Sequence, residues 1–238
     1  MNVNLTVIGS SPAWPNPGSA HAGYLLDGPG RLLLDCGPGV LARLRTDGLL
    51  DVDAILISHF HLDHWGDLVP WVWMPKHLDG GRRRRPVLWL PPSGLRDLEH
   101  FAAGWGHAGM FEEAFSVREY RSGVPFTTAG FDVTAIPVDH YGIEAFGFRV
   151  RDRPGRVLAY SGDSAPCEEL YALAKDADLF LCEATLAEGA DDPVPRGHLS
   201  ADEALALGNA RTVLTHRPAE LPTPSGVERA VDGLVFEV

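Results

Sequence analysis

His59, His61, Asp63 and His64 stand in the run "ISHFHLDHWGD", which puts three histidines and two aspartates within nine positions, directly behind the apolar stretch "AILIS". In an extended chain residues i and i+2 point the same way, so His59 and His61 can grip one ion from one side. Asp63 and His64 fall where the chain turns into a helix, which aims them in another direction. Four donor side chains leaving in two directions suit two adjacent ions better than one. Imidazole and carboxylate without thiolate suit zinc, and also manganese or iron, so the donor set leaves the metal open. Asp67, the last aspartate of the run, gains no role from its spacing.

Four further apolar runs end in the same kind of residue. "VTAIPVD" leads to His140, "VLAYSG" to Asp163, "LFLC" to Glu183 and "TVLT" to His216. In open α/β sheets, sites lie outside the carboxyl ends of strands, where loops from several segments converge. A lone His at a strand end is more often a hydrogen-bonded core or surface residue than a ligand. Five runs that each deliver a ligand or acid/base side chain, added to the cluster at 59–64, point instead to one assembled site.

The elements that must carry these groups read as an α/β fold. "RLLLDCGPGVLARLRTDGLLDVDAILIS" from Arg31 can be laid without a gap on "RVLAYSGDSAPCEELYALAKDADLFLCE" from Arg156. In both, an apolar strand runs into a Gly and Asp turn, a helix follows, and Asp-x-Asp opens a second strand. Two βαβ-like halves are the simplest reading. Between them "WVWMPKHLDGG" and the arginines lead to a short strand "PVLWL", stopped by Pro91 and Pro92; a helical pattern interrupted by Gly104, Gly106 and Gly109 follows. This stretch is expected to form a lid-like insertion at about 70–118 within a single domain spanning 1–238. Trp65, Trp71 and Trp73 are spaced like a buried helix face, as core or as a subunit contact, and a homodimer is the modest expectation. His77, His100 and His107 default to surface or lid. So does His21, which as the alternative faces the substrate.

Composition bounds the function. With 238 residues, 45% hydrophobic and 22% charged, the chain can bury one sizeable core, and no apolar stretch approaches the ~20 residues of a membrane span. "MNVNLTVIGSS" reads as a first strand and lacks the pattern of a signal peptide, so a cytoplasmic protein is expected. Cys36, Cys167 and Cys182 are scattered and suggest neither a disulfide framework nor a cysteine zinc site. A net charge of -12 disfavours long contacts with nucleic acid, whose affinity rests on Lys and Arg. A small anionic substrate is compatible, because bound metal ions reverse the local field. The basic run Arg82 to Arg85 reads as a solvated turn rather than a phosphate or RNA patch.

Taken together, His59-x-His61-x-Asp63-His64 followed by His140, by Asp163 in "YSGDS" and by His216 in "LTH" resembles the metallo-β-lactamase fold superfamily, over nearly the whole chain. The resemblance implies a four-layer αβ/βα sandwich built from two similar halves and two divalent metal ions, zinc first and manganese or iron as alternatives. By position it assigns His59, His61 and His140 to one metal and Asp63, His64 and His216 to the other, with Asp163 between them. Within the superfamily the chain looks most like the ribonuclease Z and phosphodiesterase branch. There Asp35 in "LLLDCGPG" matches an aspartate that orients ligands from behind. "FLCEATLAEG" resembles that branch's His-Glu-Ala-Thr segment, with Cys182 in place of its histidine and Glu183 kept, and "GHLSADEA" resembles the segment of its catalytic histidine, here His198. Glu183 could instead pair near the surface, and Ser200 as a helix N-cap would by itself explain the sequence around His198.

The function implied is a two-metal hydrolase that cleaves a phosphodiester with a metal-activated water. Asp63 accepts a hydrogen bond from that water, and His198, held by Glu183, protonates the leaving group. A cyclic nucleotide is the first-choice substrate, since the motifs look most like actinobacterial members that include atypical cyclic nucleotide phosphodiesterases. Lactone or thioester hydrolysis on the same metals is the alternative. A tRNA 3′ processing ribonuclease Z ranks lower: only 22 residues separate His140 from Asp163, where many such enzymes carry their tRNA-binding arm. A metal-binding protein without turnover ranks lowest.

Overall fold

The computed structural model of the chain describes residues 3–74, 77, 85–189, 192–209 and 211–238. The alternating "NLTVIG" and the apolar "GYLLD" and "RLLL" form β1 (Asn4–Gly9), β2 (Gly23–Asp27) and β3 (Arg31–Leu34), an antiparallel meander. β4 (Ala54–Leu56), β5 (Val87–Leu90) and β6 (Ser116–Glu119) extend that sheet in parallel. β7 (Phe126–Thr128), β8 (Phe131–His140), β9 (Ile143–Arg151), β10 (Val157–Tyr160), β11 (Leu179–Glu183), β12 (Thr212–Thr215) and β13 (Glu228–Arg229) make a second mixed sheet in sequential order. β14 (Val235–Glu237) then returns to the first sheet and pairs with β1, so each sheet has seven strands among the described residues.

The helices lie on the outer faces. α1 (Val40–Thr46), α2 (Leu62–Trp65), α3 (Leu68–Trp71), α4 (Gly94–Ala103) and α5 (Met110–Ala114) accompany the first sheet, and α6 (Glu168–Ala174) and α7 (Ala201–Ala206) the second. The core follows the period of two along each strand. Leu32 and Leu34 of β3 face Leu158, Tyr160, Leu179 and Leu181 in the cluster between the sheets, while Leu33 packs outward against Val40 and Leu44 of α1. On the far side Ala159 and Phe180 meet Leu170 and Leu173 of α6. Strands buried on both faces read as continuous apolar runs, which is why "RLLL" and "VLAY" show no polar alternation. The four layers of the αβ/βα sandwich are thereby in place.

The internal echo has a structural counterpart. β3–α1–β4 and β10–α6–β11 each place two strands parallel and adjacent with a helix crossing between them. The Asp-x-Asp motif plays the same part in both: Asp53 Oδ2 accepts the N–H of Arg31 at 3.0 Å, and Asp178 Oδ2 accepts that of Val157 at 2.7 Å. Each carboxylate ties the start of its unit's second strand to the start of its first.

Two expectations are revised. The segment assigned to a lid contributes β5 and β6 to the first sheet, and Leu98, Phe111 and Phe115 join the core beneath it, so its described part is sheet and core. Trp65 and Trp71 are buried, but Trp73 is 45% exposed, because α2 and α3 are two short helices rather than one continuous face. Of the basic run, Arg82 to Arg84 lie outside the described residues, and Arg85 is exposed and donates to the Glu112 carbonyl. Among the described residues no helix is long and apolar enough to cross a membrane.

Leu181, fully buried between the sheets, tests this layering. Leu181→Ala should cost about 2–5 kcal/mol in chemical denaturation, and a cost well below 1 kcal/mol would contradict a packed intersheet core.

Candidate active site

The carboxyl ends of β4, β8, β10, β11 and β12 converge at one edge of the sandwich. His140 is the last residue of β8 and Glu183 the last of β11, while His59, Asp163 and His216 follow β4, β10 and β12 within a few residues. His61 has extended backbone and caps α2, whose first turn holds Asp63 and His64, so the motif does change direction in its middle. Two donor clusters result. His59, His61 and His140 each bring a donor atom within 4.8 Å of the others, and Asp63, His64, Asp163 and His216 do the same. All seven except His61 are buried. Asp35 and His216 hold left-handed backbone, with φ of 58° and 49°. Asp and His tolerate that region better than most residues, and here it turns functional side chains inward from strand ends.

The ring orientations are set from behind by Asp35, which is fully buried. Its Oδ1 accepts the Ser58 N–H at 2.7 Å, and its Oδ2 accepts Ser58 Oγ at 2.8 Å, His64 Nδ1 at 2.7 Å and Tyr160 Oη at 2.7 Å. With its proton given to Asp35, Ser58 Oγ accepts from His59 Nδ1 at 3.0 Å. Both histidines therefore carry the proton on Nδ1 and turn Nε2 into the site. His140 follows the same rule, its Nδ1 donating to the Gly197 carbonyl at 2.6 Å. His216 Nδ1 stands 2.9 Å from Thr185 Oγ1, which hands its own proton to Glu183 Oε2 at 2.9 Å.

Three of the inward atoms lack a hydrogen-bond partner, whereas His140 Nε2 lies 2.9 Å from His61 Nδ1 and His216 Nε2 3.1 Å from Asp63 Oδ2. His59 Nε2, His64 Nε2 and Asp163 Oδ1 are buried without a hydrogen bond, although His64 Nε2 lies 3.2 Å from Asp163 Oδ2. That closeness without alignment is the arrangement of two ligands aimed at a common point. Burial holds His59, His61 and His140 below the usual imidazole pKa, so each ring is neutral with one unprotonated nitrogen. Burial also disfavours charge on His64, but Asp163, Asp35 and Asp63 around it prevail and raise it well above the usual range. Burial would raise Asp63 and Asp163 too, yet the neighbouring histidines hold both below the ordinary carboxylate range. Lone pairs without partners and carboxylates seeking a cation fit divalent metals with N and O ligands.

A second carboxylate organises the other wall. Glu183, fully buried, accepts His198 Nδ1 at 2.9 Å and the Ser164 N–H at 3.1 Å on Oε1, and the Thr185 N–H at 3.0 Å on Oε2. Burial alone would lower the His198 pKa, but the Glu183 carboxylate overrides it and raises the ring to about 9. His198 also lies with His140 and Asp163 in a triplet whose donor atoms are within 4.8 Å of one another. Ser200 is the N-cap of α7 in a capping box with Glu203, so the capping role and the His198–Glu183 pair coexist rather than compete.

The other singled-out residues divide. His21 is buried rather than superficial: Gly37, where a Cβ would lie 1.9 Å from the Asp63 carbonyl and 2.7 Å from His21 Cβ, lets the two segments pack together. His77 and His100 are exposed, and half-buried His107 bonds Glu113 at 3.0 Å. Asp67 anchors α1 by accepting the Leu41 N–H at 2.8 Å. Ser58, Tyr160 and Thr185 bond to candidate site residues and lie beyond the reach of sequence reasoning. For the first and last the available signal is adjacency, since each lies within two residues of His59 or Glu183; Tyr160 faces Asp35 from the other half and has no local signal.

The same architecture occurs in known proteins. Residues 30–217 match the family model described as a beta-lactamase superfamily domain. An uncharacterized protein of Mycobacterium leprae, ML1173, is 35% identical over 230 residues, covering 92% of this chain and 78% of its own length. A ribonuclease Z of Myxococcus xanthus is 29% identical over 308 aligned positions, covering 99% of this chain and 98% of the relative. The crystal structure of the metallo-beta-lactamase fold protein YhfI from Bacillus subtilis superposes with a TM-score of 0.85 at 22% identity, covering all of both chains.

Because Asp35 fixes rings in both clusters, Asp35→Asn should weaken metal retention roughly 10–100-fold. Elemental analysis after dialysis against a graded chelator checks this; retention equal to the parent protein's would show that the ligands orient themselves.

Proposed function

Because the chain belongs to the metallo-β-lactamase superfamily and is a metal-dependent hydrolase of that fold, we propose that it cleaves a small phosphodiester, with a cyclic nucleotide as the preferred substrate. The observation that carries this reading is the contact of His198 with buried Glu183 beside the two donor clusters, because an imidazolium at that wall suits protonation of a departing alkoxide. His59, His61 and His140 would hold one divalent ion and Asp63, His64 and His216 the other. Asp163 would serve both, with Oδ2 toward His64 and His216 and Oδ1 free for the first cluster. Zinc suits these donors best, and manganese or iron is accepted by the same set. Two such ions, when bound, supply charge for the phosphoryl oxygens and acidity for an attacking water.

The chain's own residues do the rest. Asp63 Oδ2, 3.1 Å from His216 Nε2 and ionised, can accept a hydrogen bond from the nucleophile and fix its approach. Glu183 keeps the His198 proton on the ring until the leaving oxygen develops charge. The acidic balance of the whole chain supports a small substrate over a long one.

One second reading has its own support: the ribonuclease Z of Myxococcus xanthus aligns along almost its full length. Against it, an alignment of 308 positions to a chain of 238 residues leaves the relative with segments that this chain lacks. Purified, metal-loaded protein assayed on bis(p-nitrophenyl) phosphate, cyclic AMP, a lactone and a pre-tRNA separates the readings. Diester cleavage that is abolished in Asp63→Ala is the expected result; dominant cleavage of the pre-tRNA or of the lactone would overturn it.

The acid has a pH signature. His198 stays protonated up to about 9, so turnover of a diester with an alkoxide leaving group should fall as pH rises past that value. Glu183→Gln removes the charge that raises the ring and should move this limb to lower pH, and His198→Ala should cost roughly 10²–10⁴-fold on the same substrate. A pH–rate profile whose basic limb is indifferent to both changes would exclude His198 as the donor.

A further inference from the structure

Glu183 holds the His198 ring through Nδ1 only, which leaves the direction of Nε2 dependent on where the backbone carries the residue. That backbone lies in the Pro- and Gly-rich stretch after Asp192, outside any strand or helix up to Ser200. It is nonetheless tied at several points. Asp192 Oδ2 accepts the Gly197 N–H at 2.7 Å and the His198 N–H at 3.0 Å, and its Oδ1 accepts Tyr141 Oη at 2.7 Å. The Tyr141 N–H donates to the Arg196 carbonyl at 3.0 Å, and His140 Nδ1 to that of Gly197. The Tyr141 ring stands edge-on to His198 at 5.4 Å and 82°, and lies 4.8 Å from His140. A Cβ at Gly197 would sit 2.2 Å from this ring, so the glycine lets the loop pass directly across it.

Tyr141 also occupies an unfavourable conformation. With Gly142 it forms the two-residue turn between β8 and β9, both residues having positive φ, 46° and 73°. Asn, Asp and Gly are the residues that such a turn favours, and a tyrosine there carries backbone strain. Strain kept beside a cluster of functional imidazoles directs attention to what the side chain does.

We propose that Tyr141 and Asp192 are positioning residues: the phenol and the carboxylate form a brace between the His140 turn and the His198 loop that aims His198 Nε2 at the leaving oxygen. The proposal rests on His198 being the proton donor of a diesterase. The brace couples the acid to a metal ligand, since one end of it is the residue after His140 and the other holds the N–H of His198 itself.

The test compares two diesters with Tyr141→Phe, Asp192→Asn and the double variant. Methyl p-nitrophenyl phosphate releases a leaving group that needs little protonation, while methyl phenyl phosphate releases one that needs the acid. Each single variant should lose at least tenfold more kcat on the phenyl ester than on the nitrophenyl ester, with KM moved less than kcat, and the double variant should be no worse than the poorer single one, as for a shared interaction. In metal-free and metal-loaded protein alike, amide hydrogen exchange at Gly197 and His198 should accelerate in both single variants. Equal losses on the two esters, multiplying losses in the double variant, or unchanged exchange would overturn the brace. Tyr141→Phe keeps the ring, and a melting temperature near that of the parent confirms that it folds. If the parent protein cleaves neither ester, the diesterase reading fails, and exchange at the two amides still decides whether the brace holds the loop.

Discussion

The buried carboxylate of Asp35 is the interaction on which the rest of the site depends. An ionised group with no exposed surface is destabilising unless every lone pair is used, and four donors converge on this one: two from Ser58, one from His64 and one from Tyr160. Through Ser58 it reaches His59 and directly it reaches His64, which belong to different donor clusters. A single charge thus sets the tautomers of rings that face two separate points. Removing it would do more than delete a bond, since Ser58, His64 and Tyr160 would all be left with buried donors to reassign.

Glu183 repeats the arrangement on the opposite wall. One oxygen holds His198, the other receives the hydroxyl of Thr185, which in turn faces His216. The two halves of the chain therefore contribute one orienting carboxylate each, both near the carboxyl end of a strand in a βαβ unit. The halves also interlock, because Asp35 of the first and Tyr160 of the second occupy matching places in the internal echo and bond to each other across the intersheet core. Similar units that pack face to face bring equivalent strand ends to one edge, and that edge is where the donors accumulate.

The same division decides how much is legible in the sequence. Histidine and aspartate at the ends of apolar runs are rare enough to stand out, so residue types and spacing mark the candidate donors. The groups that orient them are serine, threonine and tyrosine, which occur everywhere, and their meaning depends on contacts such as Tyr160 with Asp35 that lie 125 positions apart in the chain. His21 shows the converse: its loop position suggests the surface, but Gly37 admits it to the interior beside Asp63. The segment at 70–118 misleads for a different reason. Breakers and glycines mark it as irregular, while the strands inside it are short edge additions, whose register is set by the sheet they join rather than by their own pattern.

A site built in this way carries conflicting demands. Imidazoles and carboxylates crowd within a few ångströms of one another, and the left-handed backbone at Asp35, Tyr141 and His216 adds strain at the same edge. Behind it, between the sheets and under the helices, aliphatic and aromatic side chains form three packed clusters among the described residues. Stability is thus concentrated in the sandwich and spent at its rim, where cation binding would relieve the electrostatic part but leave the backbone strain untouched. The residual strain has to be held by local bonds, which is why hydrogen-bonded carboxylates recur where the chain turns inward: Asp35 behind both donor clusters, Glu183 behind His198, and Asp192 behind the loop that carries His198.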